Sequence, residues 1–416
     1  MTEKSKTFVS FDTAHCMILS SVTELGLERV PLKEAYGRIL YQDIRSEINI
    51  PPFDNSAMDG FALHWDDTGG AHPDSPVELL ICGEIKAGVE FHTIKVEGNS
   101  AVRIMTGAPI PDGATAVVPV EHTREDATRG TIAVFEEIKQ NENIRHAGED
   151  IRVGQVALNK GTQLKSAEIG LLASLNVNDI PVYQQARVAI ISTGDEIAEV
   201  GAELRPGQIR NSNAYTLSSE IKKYHCIPHY IGIARDSISF TKEMFAKALE
   251  YDMVISTGGV SMGKYDLVKD VLVELGVDIS FETIRMKPGK PLIYGTRKNT
   301  LVFGLPGNPV STMVSFIEFV RPALLKMSGS TKLNKPLVHA VADNDIDKRS
   351  GRKEFFRGYF TIIDGVFHVS TTGPQGSGIL RSMSVANCLI VMNEESTGCS
   401  KGDRVMIQLI NHEEID

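Results

Sequence analysis

The sequence reads as a multidomain α/β protein: a doubly wound αβα domain, a β-rich inserted module, a helical N-terminal linking domain and a C-terminal β-barrel. Three observations predict this. Between residues 186 and 327, nearly continuous apolar runs alternate with helical stretches, the pattern of a parallel sheet covered on both faces. Between residues 51 and 149, short β-rich runs are broken by Gly, Pro and Asp, as in a compact all-β module set within a more helical one. Beyond Gly329 only short strand-like runs remain.

In chain order, residues 1–50 read as helical up to Glu28, with Leu19, Val22 and residues 25–27 as the apolar face. In the insertion, VELLI (77–81), SAVRI (100–104) and ATAVVPV (114–120) are the strands, punctuated by Gly107, Pro109, Pro111 and Gly113. SAEIGLLASLNV (166–177) restores helical spacing, and residues 179–181 read as a linker. The buried parallel strands are ARVAIIST (186–193), HYIGIA (229–234), DMVISTGG (252–259) and TLVFGLPG (300–307). The helices beside them are 213–224, 240–251, 265–276 and 310–327. VHAVAD, GYFTII, VFHVST, CLIVM and RVMIQLI supply the barrel.

Composition narrows the function. The 416 residues are 42% hydrophobic and 23% charged, as in a well-packed globular protein. A net charge of −10 argues against duplex DNA or an anionic membrane as partner, so an anionic substrate must be held by a local cluster of donors. No apolar run approaches the ~18 residues of a membrane span, and Asp12 and His15 interrupt the N-terminus where a signal peptide would be apolar. Cys16, Cys82, Cys226, Cys388 and Cys399 form no CxxC pair, which leaves no disulfide framework and no thiolate zinc site. A reducing cytoplasm is the expected home.

Ligands of open α/β sheets collect beyond the carboxyl ends of the strands, and the three most unusual loops stand there. STGDEI carries Asp195 and Glu196; STGGVSMGKYD sets Gly258, Gly259 and Gly263 around Ser261 and closes on Asp266; the third is GLPGNPVS. Such glycines allow nests of backbone amides that accept anions. Asn308 as N-cap and Pro309 in the first turn would open a helix toward an anion, although a plain strand–turn–helix junction would use the same residues. GGVSMGK (258–264) mimics a P-loop, but Tyr265 stands where Ser or Thr must hold Mg²⁺. Asp195, Glu196, Asp236 and Asp266 have the hard oxygen chemistry Mg²⁺ takes, and the same residues could instead cap helices. His225 and His229 are separated by Pro228, which breaks any shared helical face. MKPGKP places Lys287 and Lys290 about a Pro-Gly turn, and Arg352, Arg357 and Ser377 could donate from the C-terminal region.

These residues resemble one family, the molybdopterin molybdenumtransferases, MoeA-like proteins that include the gephyrin E domain. The resemblance is carried by PPFDNSAMDGFAL (51–63), IMTGAPIPDGATAVVPVE (104–121), NIRHAGEDI (143–151), STGDEI, NSNAYTL (211–217), STGGVSMGKYD, MKPGKP, GLPGNPVS and SVANCLIVM (384–392), in that order along the chain. It implies the last step of molybdenum cofactor synthesis, in which adenylylated molybdopterin and molybdate give the cofactor and AMP with Mg²⁺ assisting. It also implies four domains: residues 1–52 with 141–180, 53–140, 181–328 and 329–416. The family assembles as an elongated homodimer with the site between subunits, in contact with an adenylyltransferase and apo-molybdoenzymes.

Carried over by motif, the catalytic acids are Asp59, Asp150, Glu196, Asp236 and Asp266, with Thr106 beside them; Glu196 and Asp266 would hold the metal. Substrate positions are Arg145, Gly258, Gly259, Ser261, Gly263, Lys287, Lys290, Pro306, Pro309, Ser311, Arg357 and Ser377. Phe61, Thr283 and Gly378 depart from the family pattern, and the last two leave fewer donors for an oxyanion. Two other readings compete: an adenylyltransferase built on the same αβα type, and a non-catalytic scaffold. The N-terminal half and the barrel argue against the first, and the absence of a long linker or second αβα module argues against the second.

Overall fold

A computed structural model describes residues 8–88, 94–235, 237–260 and 267–410. At its centre is a seven-stranded sheet in the order Phe8–Val9, Asp278–Ile284, Pro291–Arg297, Thr300–Leu305, Met253–Thr257, Arg187–Thr193, Ile227–Ala234. The last four strands are mutually parallel. Alternation along these strands separates two cores. Ile190, Ile255 and Phe303 meet Leu217, Phe319 and Leu324 on one face, while Ile191, Val254 and Val302 meet Phe245 and Leu272 on the other. Both faces of the central strands are thus covered by helices, which is why they read as unbroken apolar runs; Ile227–Ala234, expected to be buried, is instead the edge strand and is exposed or half-buried at every position but Ala234. The expected 310–327 helix is present as Pro309–Ser315 and Arg321–Met327 joined through a wider π-helical turn, Phe316–Val320.

Two long strands of this sheet escaped the sequence reading. Asp278–Ile284 and Pro291–Arg297 run antiparallel on either side of the MKPGKP turn, so the sheet is mixed and that turn hangs from its edge. The N-terminus also differs from expectation. The helix spans only Phe11–Ser21, started by Ser10 accepting from the Thr13 amide at 3.1 Å. Leu27–Pro31 is a strand that pairs antiparallel with Asp179–Tyr183, where a linker was expected. Phe8–Val9 joins the central sheet, and Phe11, Ala14 and Ile18 enter its core. By packing, residues 8–22 therefore belong with the αβα unit, although the sequence reading put them in the linking domain.

The linking unit buries Val30 and Leu40 against Leu164, Leu172 and Ile180, closing a chain that leaves and returns around the insertion. The insertion is a six-stranded sheet in the order Ala116–Pro119, Gly60–Leu63, Ser100–Ile104, Val77–Ile85, Thr131–Val134, Thr123–Asp126. The C-terminal strands Lys353–Ile363, Val366–Thr371, Leu337–Ala342, Arg404–Leu409 and Cys388–Met392 close into a barrel, because Cys388–Met392 pairs back onto Lys353–Ile363. Met286–Lys287 pairs with Lys353–Glu354 and stitches the barrel to the central unit. Among the described residues no helix is long and apolar enough to cross a membrane.

Candidate active site

Two cavities open beyond the strand ends and share Asn308 in their walls. The larger, about 630 Å³, is lined by Thr193, Glu196, Asn211, Asn213, Gly258 and Gly259 among others. Its floor needs glycine. Gly258 has φ +85°, and a Cβ there would stand 2.9 Å from the Thr193 carbonyl oxygen, an approach no side-chain carbon tolerates. Thr193 is held in turn by its hydroxyl, which donates to the Thr257 carbonyl at 3.0 Å. Gly194, at φ +123°, lets the Glu196 carboxylate fold over it: a Cβ would lie 2.3 Å from Oε2.

One wall of this cavity is a relay. Ser192 donates to Asn211 Oδ1 at 3.0 Å, Asn211 Nδ2 donates to the Tyr230 hydroxyl at 2.8 Å, and Tyr230 donates to Glu199. Burial, then the bond to Glu199, pushes the Tyr230 phenol up from its ordinary value, so it stays a donor. Asn211 Oδ1 also caps the helix Ser212–Lys223 through the Ala214 amide. This relay was missed as a site; its only local signal was an Asn just before a helical run.

The smaller cavity, about 340 Å³, lies at the seam with the barrel and gathers Lys287, Lys290, Pro306, Ser311, Arg357 and Ser377. Gly289, at φ +101°, turns the backbone so that both lysines line it. Lys287 donates to Glu354 at 3.1 Å, and Arg352 approaches the other oxygen at 3.9 Å. Glu354 is 2% exposed; this buried acid was not anticipated. Arg357 is 1% exposed, and burial pushes its guanidinium down from its ordinary value. It donates to the Ser382 hydroxyl and the Gly376 carbonyl, both at 3.1 Å, so it fixes the loop that carries Ser377.

The GNP loop corrects one expectation. Asn308 makes no side-chain cap; its Nδ2 crosses to the Ser377 hydroxyl at 3.0 Å, and the Val310 amide donates to the Ser377 carbonyl at 3.1 Å. The first amide of that helix is therefore closed by the barrel rather than open to an anion.

The predicted residues fall into four groups. Glu196, Gly258, Gly259 and Pro309 line the larger cavity, and the six named above line the smaller. Asp59, Thr106, Arg145 and Asp150 line neither; all are exposed on the insertion and its junction with the linking unit. There Asp59 accepts from the Thr106 amide at 2.7 Å and its hydroxyl at 2.8 Å, bonds that hold its carboxyl below the usual range. Asp236, Ser261, Gly263 and Asp266 lie outside the described residues. Among the described residues no three His, Cys, Asp or Glu side chains cluster as a metal site.

Comparison with known proteins covers nearly the whole chain. Residues 9–176 match a family model described as the MoeA N-terminal region (domain I and II). Residues 189–326 match a probable molybdopterin binding domain, and residues 339–410 the MoeA C-terminal region (domain IV). A molybdopterin molybdenumtransferase of Haemophilus influenzae is 40% identical over 390 residues, 92% of this chain and 94% of that protein. One from a Nostoc species is 36% identical over 406 residues, 95% and 92% of the two chains. The crystal structure of a molybdopterin biosynthesis moeA protein from Pyrococcus horikoshii superposes with a TM-score of 0.84 at 32% identity, covering 97% of this chain and 100% of that one.

Proposed function

This chain belongs to the MoeA family, and we propose that it is a molybdopterin molybdenumtransferase acting on adenylylated molybdopterin and molybdate to give molybdenum cofactor and AMP. The observation that carries the reading is the pair of adjoining cavities: a glycine-floored one suited to phosphate and a cation-lined one suited to an oxyanion, meeting at Asn308.

In this reading, the amides of Gly258 and Gly259 and the side chains of Asn211 and Asn213 receive the phosphate-bearing pterin. Lys287, Lys290 and the Ser311 and Ser377 hydroxyls hold molybdate in the smaller cavity beside it. Glu354 keeps the Lys287 ammonium anchored, and Arg357 keeps the Ser377 loop closed over it. Glu196 is a hard oxygen donor of the kind that suits Mg²⁺ and shares its cavity with the Thr193 and Ser192 hydroxyls. Glu196 with Asp266 would hold that ion, which when bound supplies screening of phosphate charge. The pterin's own sulfurs take the metal, so no protein thiol is required as nucleophile. We further propose a cytoplasmic homodimer in which Asp59, Thr106, Arg145 and Asp150 of one copy complete the crevice of the other. Their exposure in a single chain, away from both cavities, supports this.

The test incubates purified protein with adenylylated molybdopterin, molybdate and Mg²⁺, and follows AMP release and activation of an apo-molybdoenzyme. Both should appear and depend on molybdate. Product formed only from unadenylylated pterin and ATP would instead identify an adenylyltransferase.

A further inference from the structure

A third cavity, about 320 Å³, lies where the helix Phe11–Ser21, the long helix spanning 309–327 and the barrel meet. Its wall is highly charged for its depth. Glu318, Arg321 and Lys335 are 7%, 9% and 8% exposed, and Lys353 is mostly covered, 4.0 Å over the Phe11 ring and 3.7 Å from Asp12. Glu318 sits on the π-helical turn, a feature frequent at functional sites.

Hydrogen bonding here is incomplete. Arg321 Nη1 donates to the Leu333 carbonyl at 2.7 Å, and Lys335 Nζ to the Ile410 carbonyl at 3.1 Å. Glu318 Oε1, Arg321 Nε and Gln408 Oε1 are buried without any partner. All three atoms are closed off from anything the size of a water molecule, and Gln408 also hydrogen-bonds the Glu318 side chain, so what the cavity offers an occupant is its lining of charged groups. Arg321, Lys335, Lys353 and the more distant Lys223 face Glu318, Asp12 and Glu220, an excess of cations. Burial pushes the Glu318 carboxyl up to about 7, so it is partly neutral at physiological pH and the excess grows. Burial, then the neighbouring Arg321, pushes the Lys335 ammonium down to about 8.

Arg321, Lys335 and Lys353 offer the cavity charged donors, and Glu318 offers it an acceptor. A small oxyanion that retains a proton matches both, with charged oxygens for the cations and an O–H for the Glu318 carboxyl. We propose that this cavity is a second anion site, separate from the catalytic crevice, that binds a small protonated oxyanion of the phosphate type and bridges the N-terminal helix, the long helix and the barrel. The proposal does not depend on the transferase reading, since none of its residues lines the larger cavity and the smaller one shares only Phe355 with it.

Titration calorimetry of the full chain with inorganic phosphate tests it, run beside a Lys287→Ala variant that weakens the crevice. A saturable site should persist in Lys287→Ala and weaken at least tenfold in both Lys335→Met and Arg321→Gln. Absence of saturable binding, or binding lost in Lys287→Ala and kept in Lys335→Met, overturns the proposal. The unaltered protein gives a check independent of folding: phosphate should slow acetylation of Lys335 and Lys353, read by peptide mass spectrometry. Unchanged acetylation at both lysines overturns it equally.

Discussion

Glu354 holds the Lys287 ammonium in place in the wall of the smaller cavity. The Glu354 carboxylate is buried, 3.1 Å from Lys287 and 3.9 Å from Arg352, so it fixes where the ammonium stands before any substrate arrives. A hydrogen bond to a charged group contributes about 1.5–3 kcal/mol. Lys287→Met should therefore raise the KM for molybdate at least tenfold and change kcat much less, read from AMP release against molybdate concentration. Glu318 yields a prediction of a different kind. Its folded value of about 7 lies above the ordinary 4.5, so between those values the folded protein keeps a proton that the unfolded chain has lost. That contribution is full below about 4.5 and is lost as pH rises through about 7. In phosphate-free buffer, the Tm of Glu318→Gln should fall less steeply than that of the unaltered protein across this window. Lys287, Lys290 and Ser377 were legible because they sit in Gly- and Pro-marked turns. Glu318 was not, because it lies within an apolar run, and Glu354 was not, because in GRKEFFR it reads as one more surface charge; only the fold shows what surrounds either.

At the scale of elements, legibility followed burial. Strands buried on both faces, such as Met253–Thr257, write themselves as continuous apolar runs. Asp278–Ile284 is only partly buried at several positions, and its polar residues hid it. The ribbon of Leu27–Pro31 with Asp179–Tyr183 joins segments far apart in sequence, a pairing that no local pattern encodes. The strand-end loops were legible because glycine there is a steric requirement. At Gly258 a Cβ meets the Thr193 backbone while φ is +85°; the left-handed conformation alone costs an ordinary residue about 1–2 kcal/mol. Gly258→Ala should lower Tm by several degrees and nearly abolish activity by displacing the amides above Thr193. Gly170 gives the opposite expectation. It lies inside the helix Ser166–Ser174, and a Cβ added there would meet nothing within 4 Å. Gly170→Ala should therefore stabilise by about 0.5–1 kcal/mol and leave activity intact. Thermal unfolding of the two variants measures both.

At the scale of the whole molecule, the barrel is joined firmly to the central unit. Met286–Lys287 pairs with Lys353–Glu354, and Ser377 is bound to both Asn308 and the Val310 amide. The smaller cavity is thus walled by residues of one chain, while Asp59 and Thr106 face solvent on the insertion. Sequence could name both groups but could not say whether they act on one crevice, because that is a matter of assembly. Mixed dimers decide it. In a homodimer whose crevice joins Lys287 of one copy to Asp59 of the other, Asp59→Asn and Lys287→Ala homodimers, assayed at molybdate well below KM, should each keep about a tenth of the activity or less. A heterodimer of the two variants, purified through different tags, carries both lesions in one crevice and none in the other. It should regain about half the activity of the unaltered dimer, because one of its two crevices is intact. If both residues served the crevice of their own chain, each half of that heterodimer would carry one lesion and the mixture would stay inactive. Recovered AMP release thus places Asp59 opposite Lys287 across the dimer, and a silent heterodimer removes the shared-site assembly.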